Sequence, residues 1–536
     1  MKKILIIVLL GLLIYSRSLF NGFVWDDEVF IQNISSQNAL SGTYFRPAIS
    51  AVYSTIYNIF GPQPFFFHFF QLIFHITTAI LIYYLFKRFF KETVAFILAV
   101  IFLVHPAAVE AVSFASAMQE VGFTLVGIAG FMFLLSSPRR RGSSASELIK
   151  RGDYSLDSLL RGNDNLVKIF LATFLLLIAL LMKETAIVFF VLVFCYLFLF
   201  ERKNQIVLIS YSIFSVILLM AYFLFRVSGG SLYVQGQGLF PIMRVSFATR
   251  LINIPMIILY YLGKFFYPMN LGIAQHWVVR FIDFQNFWLP LVFEILLFSG
   301  AIIYFIKTKN KVFLFFFIWF LLGLLPHLQI IPLNMTVAER WLYFPMIGIL
   351  GMIGTMLSKL QIINYKSQIN FKSQIKSKTI FILLIIIIIV FSLRSFIRTL
   401  DWRNGLSLFS RDIRKNSSFD LQNNMGVELF RVGRYFEAKK YFEISTQLAP
   451  YWWVNWNNLG AIYEREKNYQ KAAEYYKKAI DNGQYYLAYE NLAKILVLHE
   501  NDQKKTDEFL RKSLKLFPEN QNLLLLNTYF QEKNIK

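Results

Sequence analysis

Apolar runs of about twenty residues recur through the first 400 residues, most of them closed by a small cluster of lysine or arginine. At 1.5 Å of rise per residue such a run matches the roughly 30 Å of bilayer hydrocarbon. Without water, only a structure that satisfies every backbone N–H and C=O internally can cross. The expected fold is therefore all-α, a polytopic membrane bundle. Composition agrees: 56% of the 536 residues are hydrophobic and 16% charged, where soluble domains carry roughly 25%. The net charge of +22 would suit a nucleic-acid partner. Most of the excess, however, sits in short loops between apolar runs, where retention of positive charge on the cytoplasmic side accounts for it. No nucleic-acid partner is expected. The single cysteine, Cys195, lies inside an apolar run, which excludes an intrachain disulfide or a cysteine-based zinc site.

Taken in order, the runs predict eleven crossings, at 4–20, 65–86, 93–112, 114–135, 169–200 (a hairpin interrupted by Lys183-Glu184), 206–225, 287–306, 312–331, 341–360 and 379–397. Lys2-Lys3 ahead of the first run, with no small-residue cleavage site behind it, predicts an uncleaved span and a cytoplasmic N-terminus. Residues 21–64 then form the first external loop, and 136–166, with Arg139-Arg140-Arg141, a cytoplasmic insert. Segment 251–268 is expected to lie in the interface: if it crossed, Lys307, Lys309, Lys311 and the lysine-rich loop 361–378 would all fall outside.

From about residue 401 the pattern changes to that of a soluble helical module. Gly426 and Gly460 are 34 residues apart, the tetratricopeptide (TPR) period, with Ala438, Phe442 and Pro450 after the first and Ala472, Tyr476 and Ala479 after the second. Three units are expected, at about 419–452, 453–485 and 486–519, forming an α-solenoid that binds a peptide or partner protein. With eleven crossings this domain, 401–536, lies outside the cell membrane.

The chemistry-bearing residues gather at the ends of spans. Asp26, Asp27 and Glu28 follow directly on the first run. Carboxylates crowded at an interface repel one another and lose hydration, which favours protonation or a bound cation. A general base or a divalent-metal site fits, as does a polar boundary that merely ends the span. Lys183-Glu184 could pair to cap a hairpin, His105-Pro106 could mark a kinked helix end, and Glu339-Arg340 could form an ion pair. Lys264 could simply snorkel. His68 and His75 share a helical face and suit either a core or a metal.

The order of local motifs resembles the transmembrane-and-TPR protein O-mannosyltransferases, within the integral-membrane glycosyltransferases that use lipid-phosphate sugars. The motifs are Phe23-Val24-Trp25-Asp26-Asp27 with Asn33, Tyr44-Phe45-Arg46-Pro47, His68-Phe69-Phe70-Gln71 with His75, His105-Pro106 with Glu110, Lys183-Glu184-Thr185, Glu339-Arg340-Trp341-Leu342-Tyr343-Phe344-Pro345, and Trp402-Arg403-Asn404 ahead of the repeats. Few repeats, Gln71 where an Asn is expected and the insert at 136–166 depart from that pattern. The resemblance implies a polyprenyl-phosphate sugar donor bound at the outer face, and a protein or glycan acceptor. It implies Asp26 or Asp27 as the base, and Arg340, Arg46, Arg226 and Lys183 as groups meeting the donor phosphate, Arg340 foremost. Glu28, His105, Glu110, Glu184, Glu339 and Tyr343 would support them, and a divalent cation, if bound, would sit on Asp26 and Asp27. Two other classes remain open: a surface-polysaccharide ligase or polymerase, against which the short loop 332–340 counts, and a non-enzymatic TPR-bearing scaffold, which would carry polar residues along a path through the bilayer.

Overall fold

The computed structural model describes residues 1–32, 45–135, 156–202, 204–228, 238–359 and 371–535, and every regular element among them is helical. Asn33, Tyr44, Arg139-Arg140-Arg141 and most of the lysine-rich loop after residue 360 lie outside the described residues. The chain divides into two compact units. One comprises 1–273 and 278–404; the other comprises 274–277 and 405–536.

Among the described residues of the first unit six helices are long and apolar enough to cross a membrane: Lys2–Phe20, Pro64–Lys87, Ala115–Leu135, Gln205–Ser228, Phe284–Thr308 and Thr379–Asp401. This is a multi-pass membrane protein. Four shorter apolar helices accompany them, at Leu166–Met182, Glu184–Phe200, Lys311–His327 and Pro345–Lys359. The span expected at 93–112 is bent at the His105-Pro106 kink: Glu92–Val104 and Pro106–Ser113 meet at 50°. The cause is local. Pro106 lacks the N–H a continuing helix needs, and His105 turns extended with its ring nitrogen Nδ1 accepting from Ala107 N at 3.2 Å. Of segment 251–268, residues 251–266 form the C-terminal part of the Phe247–Phe266 helix and 267–268 follow its end. Asn253 fastens that helix by bonding both backbone groups of Val279, donating to its O (2.9 Å) and accepting from its N (2.7 Å).

Lipid and protein faces separate clearly. Only 11% of the most apolar window of Phe284–Thr308 and of Thr379–Asp401 is buried, so a helix apolar on every side is here solvated by hydrocarbon. Where helices pack, small residues let backbones approach. A Cβ on Gly348 would stand 2.5 Å from the backbone N of Phe320, which brings the Lys311–Leu324 and Pro345–Lys359 helices into direct backbone contact. Rings fill the remaining volume, with Phe131, Phe189, Phe315, Phe316 and Phe344 all grouped around Trp319.

In the second unit a helix, Gly405–Asp412, is followed by antiparallel helix pairs: Phe419–Arg431 with Tyr435–Leu448, Trp453–Arg465 with Tyr469–Asn482, and Tyr486–His499 with Gln503–Leu516. A last helix, Gln521–Ile535, closes the array. The period seen in the sequence has a steric origin. A Cβ on Gly426 would lie 2.6 Å from the Phe442 ring and one on Gly460 2.6 Å from the Tyr476 ring, so each of the first two pairs closes only over a glycine.

Candidate functional site

The acidic loop begins with a strained residue. Trp25 has φ +57°, a left-handed conformation that costs a bulky residue about 1–2 kcal/mol. Its indole stacks on Phe114 at 5.5 Å, and the turn is closed from inside by Asp27. Asp27 is fully buried; its Oδ2 accepts from Val24 N at 3.2 Å and its Oδ1 from Ser116 N at 2.7 Å. Asp26, one residue earlier, is exposed, and Glu28 is half-buried. Neighbouring acids thus take opposite parts: Asp27 holds the loop against the 115–117 turn, and Asp26 is presented outward.

Burial pushes the Asp27 carboxyl up to about 7, against the lowering pull of its Ser116 and Val24 bonds and with a smaller upward contribution from the charge of Asp26. The sign follows from linkage. The folded state binds the proton more tightly than an unfolded chain whose Asp titrates near 3.8. The contribution is complete below about pH 4 and is lost as pH rises through about 7. Thermal unfolding of the detergent-purified protein is therefore expected to be higher at pH 5 than at pH 8, with the difference reduced in Asp27→Asn.

The basic residues divide into two kinds. Arg340 is spent on Glu110: its guanidinium pairs with Oε1 and its backbone N donates to Oε2 at 3.0 Å, both partners being buried. Lys183 pairs with buried Glu120, and Lys264 lies 3.4 Å from Glu339, whose Oε1 also accepts from Gly272 N at 2.7 Å. These are one-to-one pairs. Arg46 and Arg226 instead share one carboxylate, that of Glu184: Arg46 approaches Oε2 at 2.9 and 3.0 Å and Arg226 approaches Oε1 at 3.2 Å. Arg226 also donates to Tyr222 Oη at 2.7 Å. All three members of this group are partly open, with side-chain exposures of 18%, 13% and 32% for Arg46, Arg226 and Glu184.

Two links join the acids to the bases. Tyr53, donating to Ala115 O at 2.7 Å, feels the charge of both Asp27 and Arg46. Phe114 carries Trp25 on its ring and the Arg340 guanidinium 5.8 Å from its centroid. The sequence-predicted residues Asp26, Asp27, Arg46, Lys183, Glu184, Arg226, Arg340 and Glu110 therefore belong to one neighbourhood.

Several expected pairings are corrected. Lys183 and Glu184 do not cap a hairpin together; the helix break turns their side chains to different partners, Glu120 for one and two arginines for the other. Glu339 and Arg340 likewise face apart. His105 is a satisfied helix-break residue, its Nε2 3.0 Å from Phe265 O, and Tyr343 bonds His75 at 2.8 Å in the core. Gln71 donates to Phe114 O at 2.8 Å and so braces the turn under the acidic loop. Among the described residues no three histidine, cysteine or acidic side chains gather as a cation site. Asp27 points inward to amide donors, so the acidic triplet does not fit a divalent ion. Sequence reasoning missed Ser116, Phe114, Tyr53 and Tyr222. The bond from the Ser116 backbone N–H leaves no trace in the sequence.

These observations define a multi-pass helical membrane protein with a charged site at the ends of its helices and a helical-repeat module. Residues 453–484 match the tetratricopeptide repeat family model. Protein O-mannosyl-transferase TMTC3 of Homo sapiens is 28% identical over 204 residues, 35% of this chain and 21% of that protein. Protein O-mannosyl-transferase Tmtc3 of Drosophila melanogaster is 27% identical over 163 residues (30% and 17%), and Tmtc2 of the same organism 31% identical over 114 residues (21% and 11%). The chain is thus similar, over about a third or less of its own length, to proteins named as protein O-mannosyl-transferases, and it spans about a fifth or less of the length of each.

Proposed function

We propose that the protein is an inverting glycosyltransferase that moves a hexose, mannose by the relatives' names, from a polyprenyl phosphate to a protein Ser or Thr hydroxyl at the outer face of the membrane. The observation that carries this is the exposed Asp26 on a loop locked by Asp27, in one neighbourhood with two arginines that share a single glutamate. Asp26 takes the acceptor's proton as the hydroxyl oxygen attacks the anomeric carbon. The bond from that carbon to the phosphate oxygen breaks, and the polyprenyl phosphate leaves with the electron pair. Its growing charge meets the forked donors of Arg46 and Arg226. Arg340, favoured on sequence grounds, is assigned instead to holding the loop that carries it against Glu110. All eleven apolar segments cross, which puts the N-terminus and the insert at 136–166 in the cytoplasm and both the acidic loop and residues 401–536 outside.

The test is to incubate the purified protein with a set of labelled polyprenyl-phosphate sugars and an unstructured Ser/Thr-containing polypeptide. One donor, the mannose form first, is expected to be consumed with label appearing on hydroxyl oxygen. Consumption of none would remove the enzyme reading and leave an anchored repeat protein.

A further inference from the structure

The second helices of the three repeats share one length and one register, so their outward positions compare directly. Tyr435–Leu448, Tyr469–Asn482 and Gln503–Leu516 each hold 14 residues and start at the 34-residue period. In the first, Ala438, Phe442 and Ser445 turn inward. The opposite side presents Phe436, Ile444 and Leu448 to solvent, with Val432 in the turn just before the helix. Phe436 is 73% exposed and Val432 57%. At the positions equivalent to Val432, Phe436, Ile444 and Leu448 the second repeat holds Glu466, Gln470, Lys478 and Asn482. The third holds Glu500, Lys504, Lys512 and Leu516. The first repeat is thus apolar along a line where its neighbours are almost wholly polar, and a continuous apolar line of this kind marks a surface that something covers.

Two features say what the cover is. One is place in the chain: the apolar repeat is the one joined to the Thr379–Asp401 membrane helix, through residues 402–418, and the line fades in the repeats that follow. The other is Lys440, exposed in the middle of the line with its ammonium 4.4 Å from the Phe436 ring centroid. A protein partner closing over this line would desolvate that charge and have to supply an acid to meet it. At a bilayer surface the lysine stem lies along the apolar boundary while its ammonium reaches the lipid phosphates. The surrounding acids offer little repulsion to such a surface. Arg431 meets Glu428 at 3.1 Å, Arg434 meets Glu437 at 2.6 Å, and Glu443 is half-buried. Aromatic and aliphatic side chains sharing one side of a helix with a lysine are the composition of an element lying in the interface plane.

We propose that the outward face of Tyr435–Leu448, led by Val432 and Phe436, rests in the headgroup region of the bilayer and anchors the first repeat to the lipid surface. Immersion is shallow, about 5–10 Å, and the polar second and third repeats have no such contact. This anchor stands apart from the sugar-transfer reading and holds whether or not the membrane unit is an enzyme.

The experiment uses the full-length Cys195→Ser protein, a single copy in each phosphatidylcholine nanodisc, with one NBD fluorophore attached at Phe436→Cys. Matched samples carry it at the equivalent Gln470→Cys or Lys504→Cys. The label at Phe436→Cys is expected to emit at shorter wavelength, and to lose about half or more of its emission when the disc contains phosphatidylcholine spin-labelled close to the headgroup. The labels in the second and third repeats should keep theirs. A second arm places the label at Val432→Cys and adds Phe436→Gln, Ile444→Lys and Leu448→Asn together, the residues that the second repeat already carries on a folded helix. Quenching seen with Val432→Cys alone should be lost in that combination, while circular dichroism stays unchanged. Three outcomes would overturn the inference: a Phe436→Cys label open to water; one shielded from water yet unquenched by spin-labelled lipid, as under a protein cover; and one quenched no more than the labels at Gln470→Cys and Lys504→Cys. Shielding that arises only in discs holding two copies would assign the face to a second chain and overturn it as well.

Discussion

Replacing Asp26 by Asn is expected to lower sugar transfer by about 10²–10⁴-fold, the range for loss of a general base, while the protein's unfolding temperature stays where it was. The reason lies in the difference between the two adjacent acids. Asp26 is exposed, whereas Asp27 accepts from the backbone donors of the turn; Asn keeps the volume of Asp26 and removes its basicity. Asp27→Asn should behave differently. The buried carboxylate accepts from Val24 N and Ser116 N on its two oxygens, and an Asn offers one oxygen and one NH₂ to those two donors. One donor is left unsatisfied at a cost of about 1–3 kcal/mol, so stability falls together with activity. Transfer rates beside unfolding curves for the two variants check the assignment. Equal activity in Asp26→Asn and wild type would remove Asp26 from the mechanism.

The second large effect concerns the arginines. Arg46→Gln and Arg226→Gln are each expected to reduce kcat/KM for the polyprenyl-phosphate donor by about 10²–10³-fold, as for loss of a charged donor to a developing anion. Each single change leaves Glu184 with the other guanidinium, so the fold should persist. Arg340→Gln is the contrasting case. It strands the buried Glu110 carboxylate, and breaking such a pair costs about 3–5 kcal/mol. Its signature is loss of folded protein rather than a selective loss of donor use. Steady-state kinetics with detergent-solubilised variants, each first tested for monodispersity, separates the two. A selective kinetic defect at Arg340 with none at Arg46 or Arg226 would return the phosphate to Arg340.

Much of the architecture could be read from the chain because its causes are local. Apolar length marks the helices from Lys2–Phe20 to Thr379–Asp401, and the glycines at 426 and 460 mark a steric requirement that repeats with the module. The break at His105 was also visible, since Pro106 cannot continue a helix, although the bend of 50° was not. The site was legible as a set of residues but not as a set of partners. Glu184 lies beside Lys183 in sequence, yet it meets Arg46 and Arg226, and Arg340 reaches Glu110 across 230 positions. Such pairings are fixed by how helices cross, which composition does not encode. The separation of Asp26 from Asp27 rests on a backbone N–H at Ser116 and on a strained φ at Trp25, neither of which a side-chain pattern can announce.

The proposal reduces to one displacement at the anomeric carbon, driven by Asp26 and met by Arg46 and Arg226. The most direct test is the anomeric configuration of the sugar on the product peptide, read by NMR from the one-bond carbon–proton coupling and compared with that of the donor. A single displacement predicts inversion in every product molecule. Retention would mean that a covalent glycosyl–enzyme step intervenes, and would contradict this account.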